Sequence, residues 1–425
     1  MKDEKLAVEG GAPFIGEELP SWPWFTDEII EAAMQPLKTG KVNYWTGSCG
    51  MEFEKAFAAW NGSKFAISTT NGTSALHVAL AGLNIGPGDE VITSPYTFIA
   101  SSFSIVQAGA IPVFADVCRE THCIDPADIE KKITGKTRAI IPVHLYGNVS
   151  EMDEIMRIAG EHDLYVIEDA AEAHGATYNG KKVGTIGHAG AFSFCQNKTF
   201  TTGGEGGMVV TDREDTAWNC RSFRDHGYDV EKRMSLLDLE GALPYIHTRI
   251  GYNYRMTEMQ SAIGLKEMER LDSWNLPRRR KNGELLISEL TGCEQILTLP
   301  VHDEKIQNGF YVFPIVLNLD TLTCDKKTFL DAVTAEGVPA WREFWPQSYR
   351  EKAYQEHNGF GRFKFPFRSA EYTSPESVRY DAVFCENAAW LEERTFIIHC
   401  FPTLEEKHVR AIAGAVKKVA KHYAK

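Results

Sequence analysis

Between residues 64 and 212, short apolar runs alternate with stretches whose apolar positions fall three and four residues apart. The runs Lys64–Thr69, Glu90–Thr93, Ile111–Ala115, Ala139–Val143, Leu164–Ile167, Ala189–Ser193 and Gly207–Thr211 predict strands. They are apolar at successive positions rather than at every second one, so they predict a mostly parallel sheet covered on both faces by helices. Leu76, Ala79, Leu80 and Leu83 recur at helical spacing after the Asn71-Gly72 start, which predicts a helix over Thr73–Leu83 with its stripe in the core. Another helix is predicted over Met256–Leu271. The run Leu276-Pro-Arg-Arg-Arg-Lys leads into a further one, with its charges read as a solvated face. Beyond residue 310 a strand at Phe310–Leu317, several helices and an amphipathic end at Glu405–Ala424 predict a smaller α/β unit. The aromatic stretch Phe344–Phe367 has little period and reads as a long loop, which in a compact fold usually carries function or moves.

At 425 residues the chain exceeds what one core organises. The expected division is an N-terminal arm over 1–25, a large domain over 26–272 and a small C-terminal domain over 273–425. A formal net charge of −13 with no long basic arm argues against nucleic acid as a partner. Nine cysteines without paired CxxC spacing suggest reduced thiols. Cys118, His122 and Cys123 are open to two readings, a metal cluster or an exposed loop. The start Met-Lys-Asp-Glu shows no signal pattern and no apolar run is long enough to span a bilayer, so the expected location is cytoplasmic, with no membrane partner.

Two segments carry the chemistry. Val166-Ile167-Glu168-Asp169-Ala170-Ala171-Glu172 puts acids just past an apolar strand, at the carboxyl edge where open α/β sheets bind ligands. Phe192-Ser193-Phe194-Cys195-Gln196-Asn197-Lys198 does the same for a lone lysine, followed by the glycine-rich run Gly203-Gly204-Glu205-Gly206-Gly207. Lys198 reads either as a turn residue or as an amine whose pKa is tuned by a desolvated site. Asp169 reads as a helix N-cap or a functional acid, and Phe98 as core or as a stacking ring.

In combination, Thr70-Asn71-Gly72-Thr73-Ser74-Ala75-Leu76, Thr97-Phe98-Ile99-Ala100, Glu168-Asp169-Ala170-Ala171, Ser193-Phe194 with Lys198, and Gly251-Tyr252-Asn253-Tyr254-Arg255-Met256-Thr257 resemble the DegT-type family of pyridoxal-phosphate-dependent sugar aminotransferases (DegT/DnrJ/StrS) over nearly the whole chain. The resemblance implies the aspartate-aminotransferase-like transferase fold, type I, with pyridoxal 5′-phosphate as cofactor. By position, Lys198 matches the lysine that holds the cofactor covalently and shuttles the proton. Asp169 matches the acid on the pyridine nitrogen. Gly72, Thr73 and Ser193 match the phosphate ligands, and Phe98 matches the ring that stacks on the pyridine. Glu172 stands where the family often has Gln or His near the phenolic oxygen, a departure that leaves its role open. Asn253 and Arg255 match residues that reach in from a neighbouring subunit, which implies a homodimer with shared sites. The implied reaction takes an amino group from glutamate or glutamine to a keto-sugar. A keto-cyclitol (inosose) aminotransferase, an aromatic amine synthase of the same fold and a non-catalytic regulatory protein are the alternatives. Lysine rather than histidine at 198 separates the chain from the family's dehydratase branch. Substrate contacts are expected from the loop containing Tyr44 and Trp45 and from the 344–367 stretch, where Arg342, Arg362 and Lys364 could meet a diphosphate or lie exposed.

Overall fold

The computed structural model describes residues 5–230, 247–342, 346–372 and 378–425. Seven strands form the main sheet: β1 (Phe65–Thr69), β2 (Glu90–Thr93), β3 (Ile111–Phe114), β4 (Thr137–Ile141), β5 (Tyr165–Asp169), β6 (Ala189–Ser193) and β7 (Gly207–Thr211). Their order is β1-β7-β6-β5-β4-β2-β3. Only β7 runs against its neighbours. All seven expected strands are present, and the sheet is mostly parallel as anticipated.

Neighbouring residues in a strand fall into different cores, because successive side chains point to opposite faces. Ile92, Ile140, Val166, Phe192 and Met208 join one cluster, and Val91, Ile141, Ile167, Ala191 and Val209 join the other. Burial on both faces is why these strands show continuous apolar runs. β5 extends past the expected end at Ile167, because the main chain of Glu168 and Asp169 pairs with Gly190 and Ala191 of β6. The helix Gly72–Gly82 starts at a capping box between Asn71 and Ser74, and covers the second face with Leu76, Val78 and Leu80.

A second, antiparallel sheet has β8 (Ile296–Thr298), β9 (Val312–Leu317), β10 (Ala340–Arg342) and β11 (Thr395–His399) in the order β8-β9-β11-β10. Phe313 and Ile315 of β9 pack with Leu286 of the helix Leu276–Leu290 and Val416 of the amphipathic helix Glu406–His422. The helix expected from Met256 starts at Glu258, because the Thr257 side chain caps it, and runs through a π turn at Leu271–Asn275 straight into the helix from Leu276.

Three expectations are corrected. The basic run is not a solvated face. Arg278 donates to the carbonyls of Pro402 and Leu404, Arg280 to that of Gly175, and Arg279 is fully buried. Cys123 and His122 are buried rather than set in an exposed loop. The described part of the aromatic stretch, from residue 346, is not one long loop: it holds short helical turns at Ser348–Arg350 and Lys352–Gln355 and covers the sheet edge, while Phe344 lies outside the described residues. This cover begins at the carboxyl end of the strands, where the Ser348 amide donates to the Pro95 carbonyl, and follows β3 to the amino end, where Phe365 packs on Pro87 and Gly109. Covering an edge strand hides main-chain groups that would otherwise invite pairing. Among the described residues, no helix is long and apolar enough to cross a membrane and no group of three or more His, Cys, Asp or Glu could hold a metal ion.

Candidate active site

Alternation along β5 gives its two terminal acids opposite duties. Glu168 is fully buried and accepts from the amides of Gly184, Ile186 and Gly187 at 2.6–2.7 Å and shares a 2.9 Å contact with His144, so it is consumed in fastening the loop before β6. Asp169 faces the other way. Its Oδ2 accepts from Ser101 at 2.7 Å and its Oδ1 from the Ala171 amide at 3.2 Å. Burial pushes the Asp169 carboxyl above the usual range, and those two hydrogen bonds work against the rise. Ser101 lies just beyond the Thr97–Ala100 motif, one residue past what the sequence pattern marks.

The carboxyl ends of β1 and β6 meet beside it. A Cβ on Gly72 would stand 2.7 Å from the Ser193 Cβ, so only glycine lets the helix start this close to β6. Gly72 and Thr73 carry the first amides of that helix, which have no intrahelical acceptor, at its positive end. The structure therefore brings Gly72, Thr73 and Ser193 together, with a hydroxyl facing a helix N-terminus of the kind that holds phosphate. Phe98 precedes the helix Ala100–Gln107, which carries Ser101, and is 44% exposed, so its ring is not part of the core.

Lys198 follows β6. Its Nζ donates to Glu172 Oε1 at 3.1 Å and lies 4.7 Å from the ring centre of Tyr311. The Glu172 Oε2 accepts from the Tyr146 amide at 3.0 Å. Burial alone would lower the lysine pKa, but Glu172, Tyr311 and Asp169 together outweigh it and hold Lys198 above its ordinary value. The main chain around Lys198 is anchored from elsewhere: the Trp22 indole N–H donates to the Lys198 carbonyl at 3.0 Å, and Arg279 donates to the carbonyls of Thr199, Phe310, Tyr311 and Cys400. Tyr311 and Arg279 carry no motif of their own; Arg279 is marked by full burial and Tyr311 by its place beside the lysine nitrogen, neither of which a linear pattern reports. His174 is also fully buried, against Phe192, Phe194 and Phe200, and its pKa is pulled down to about 3, first by burial and then by Lys198 and Arg279.

Six other expected residues sit elsewhere. Tyr44 is corrected from a substrate contact to a core residue, 3% exposed, with its hydroxyl on Glu54 and the Arg224 guanidinium 4.2 Å from its ring centre. Trp45 donates its indole N–H to Asp225, which also pairs with Arg255. Asn253 is exposed and bridges backbone to backbone with Asp225. Lys364 spends its ammonium on the Glu356 carbonyl, and Arg362 stacks over Phe363. The hairpin that carries both packs on the amino ends of β2 and β3 through Phe365, away from Lys198, so neither meets a ligand there. The Arg342 side chain lies outside what is described.

A sequence model of the DegT/DnrJ/EryC1/StrS aminotransferase family matches residues 24–373. The chain is 48% identical to a GDP-perosamine synthase of Caulobacter vibrioides over 242 residues, a match spanning 56% of this chain and 62% of that one. It is 33% identical to an L-glutamine:2-deoxy-scyllo-inosose aminotransferase of Streptomyces paromomycinus over 98% of both chains. Among solved structures, the aminotransferase from Psychrobacter cryohalolentis superposes with a TM-score of 0.85 at 35% identity, covering 96% of this chain and 100% of that one.

Proposed function

The chain belongs to the DegT/DnrJ/EryC1/StrS aminotransferase family and is an aminotransferase, and from that premise we propose that it moves an amino group from glutamate or glutamine to a nucleotide-linked keto-sugar, with pyridoxal 5′-phosphate held at Lys198. Its fold is that of the pyridoxal-phosphate-dependent aminotransferases. The observation that carries the proposal is the convergence of Lys198, Asp169 and Ser193 with the helix start at Gly72, from the ends of three strands.

The residues fit that cofactor. Gly72, Thr73 and Ser193 form a small neutral cradle at a positive helix end, suited to a phosphate. Asp169, kept buried and oriented by Ser101, is suited to hold a proton on a ring nitrogen. When bound, pyridoxal phosphate supplies an electron sink for negative charge at the amino-acid Cα. The chain's own work is then to hold the phosphate, to cover one ring face with Phe98, to fix the ring nitrogen's proton with Asp169, and to carry a proton to and from Cα on Lys198 Nζ. Residues 26–272 form the cofactor-binding unit and 273–425 the smaller one.

The Caulobacter relative supports a nucleotide-linked sugar as the acceptor; the Streptomyces relative favours a keto-cyclitol as the second reading. The active unit is a homodimer in which Asn253 and Arg255 reach the neighbour's site, Asn253 toward the phosphate. Exposed apolar side chains support such an interface: Ile30, Met34 and Leu37 lie along one face of the helix Asp27–Thr39, and Ile250 and Tyr252 flank the Asn253 segment. The test is borohydride reduction of the loaded protein followed by peptide mapping, then a screen of keto-sugar nucleotides and inososes against the aminated form. A label on Lys198 and turnover of a nucleotide sugar support the proposal; a label on another lysine overturns it, and turnover of inososes alone selects the second reading.

A further inference from the structure

We propose that Glu172 is the fixed counter-ion of Lys198, a positioning residue that keeps the lysine nitrogen protonated and so sets the pH at which that nitrogen becomes a nucleophile. The proposal rests on the reading of Lys198 as the cofactor-anchoring lysine. It gives a task to an acid at a position where that reading needs none.

The two carboxylate oxygens have separate partners. Oε1 accepts from Lys198 Nζ at 3.1 Å and Oε2 from the Tyr146 amide at 3.0 Å, with both side chains of the ion pair largely withdrawn from water, 16% and 14% exposed. That amide is aimed by an uncommon conformation: Tyr146 has φ +64°, a left-handed backbone that a bulky residue adopts only when its surroundings compel it. The surroundings are visible. The Tyr146 ring packs in the cluster with Tyr96, Val143 and Leu145. The next residue, Gly147 at φ +97°, lies so close to the segment before β9 that a Cβ would stand 2.7 Å from the Phe310 nitrogen. One close approach therefore fixes both the amide that grips Glu172 and the start of the segment that lays Tyr311 beside the lysine nitrogen.

Charged and titratable groups face Lys198 from every side of its pocket. Asp169 comes from β5, Glu172 from the turn after it and Tyr311 from the approach to β9, while Arg279 from the long helix and His174 stand nearby. The negative groups prevail over burial, and Glu172 leads them. An ammonium has no lone pair for a carbonyl carbon, so the cofactor-free protein must lose this proton before Lys198 can react. A glutamine at 172 would keep the shape but has one acceptor oxygen in place of two, so it removes the charge and cannot accept from both Lys198 Nζ and the Tyr146 amide as the carboxylate does.

The test is competitive labelling of cofactor-free protein with acetic anhydride across the alkaline range, following Lys198 and the exposed lysines of the same chain by mass spectrometry. Each rate is scaled to its own high-pH plateau, so the reading is a titration midpoint rather than accessibility. In the wild type Lys198 should titrate above the exposed lysines. Glu172→Gln should lower its midpoint by about one unit or more, which is about a tenfold gain in scaled rate near pH 8. Tyr311→Phe keeps ring and carboxylate and removes only the phenol oxygen, so its midpoint should fall by less than that of Glu172→Gln. An unchanged midpoint in Glu172→Gln overturns the proposal. So does a wild-type Lys198 that titrates with or below the exposed lysines, a result that needs no variant to fold. If borohydride still fixes the cofactor to Lys198 in those experiments, the site assignment stands and only the counter-ion role falls; if the label maps elsewhere, the site assignment itself has failed.

Discussion

The two ends of the main sheet solve the problem of buried polar groups in opposite ways. At the amino end, polar groups meet main chain and hydroxyls: the Tyr372 hydroxyl shares its one hydrogen between the carbonyls of Asp89 and Gly109 and accepts from the Gly88 amide, Tyr380 donates to the Pro112 carbonyl, and the buried Glu90 accepts from the Thr134 hydroxyl. At the carboxyl end, Lys198, Glu172 and Asp169 are crowded together with a left-handed Tyr146 and a neutral His174. The first end satisfies its polar groups with ordinary hydrogen bonds. The second keeps charges in low-dielectric surroundings, a costly arrangement for a fold but one that pre-shifts the groups which must exchange protons.

That contrast breaks most sharply at Lys198. Replacement by Ala should cut turnover by roughly 10⁴-fold or more, since anchor and proton carrier go together, while the cofactor-free protein still folds, with a thermal transition lowered by the Glu172 carboxylate left without its partner. Asp169→Asn should cost roughly 10²- to 10³-fold in turnover. Its effect on the cofactor-free fold should be the reverse. Because burial raises the Asp169 pKa, its carboxyl contributes stability that is fully present below about pH 4, its unfolded value, and lost as pH rises through the folded value. Asparagine removes that loss, so melting at neutral pH should be unchanged or higher in the variant. A clearly lower melting temperature would mean the charge is stabilised by something other than Ser101 and Ala171.

Arg279→Met should lower stability by on the order of 3 kcal/mol, because four carbonyls lose a charged donor, and should lower activity as well, because two of them flank Lys198. Tyr372→Phe at the other end should cost only about 1–2 kcal/mol and leave kcat and KM alone. If both variants impair catalysis alike, the two ends are not separable. The smallest effect expected is at His174. A base depressed to about 3 contributes stability that is intact above about pH 6.5 and lost as pH falls toward 3. His174→Leu should therefore flatten the acid limb of urea midpoints measured between pH 7 and 4.5; an equally steep limb would assign it to other groups.

How much was legible in the sequence follows from the same division. The seven strands were, because a strand buried on both faces has to be apolar at successive positions, and Ile140-Ile141 or Val166-Ile167 leave no other reading. Lys198 and Asp169 stood out because each follows such a run, whereas Ser193 and the Gly72 helix start were singled out through the family resemblance, and the structure brings those two together. Arg279 was not. Its run of basic residues has the composition of a wet surface, and what buries it is carbonyls supplied from Thr199 and Cys400, far away in the chain. Tyr44 was misread for the matching reason, since its partners Glu54 and Arg224 have no common motif. The cover over β3 looked like a functional loop because it has no helix or strand period of its own, and its Tyr349 and Tyr354 rings pack on Phe114 instead.

The anchoring of the Lys198 main chain also ties the pocket to distant stretches of sequence. Trp22 lies 176 positions before its acceptor at Lys198, and Arg279 completes its set of carbonyls only with Cys400, 121 positions further on. Contacts of such long sequence separation cost loop-closure entropy before they return anything, so the strands can pair locally while the surroundings of the lysine wait on the whole fold.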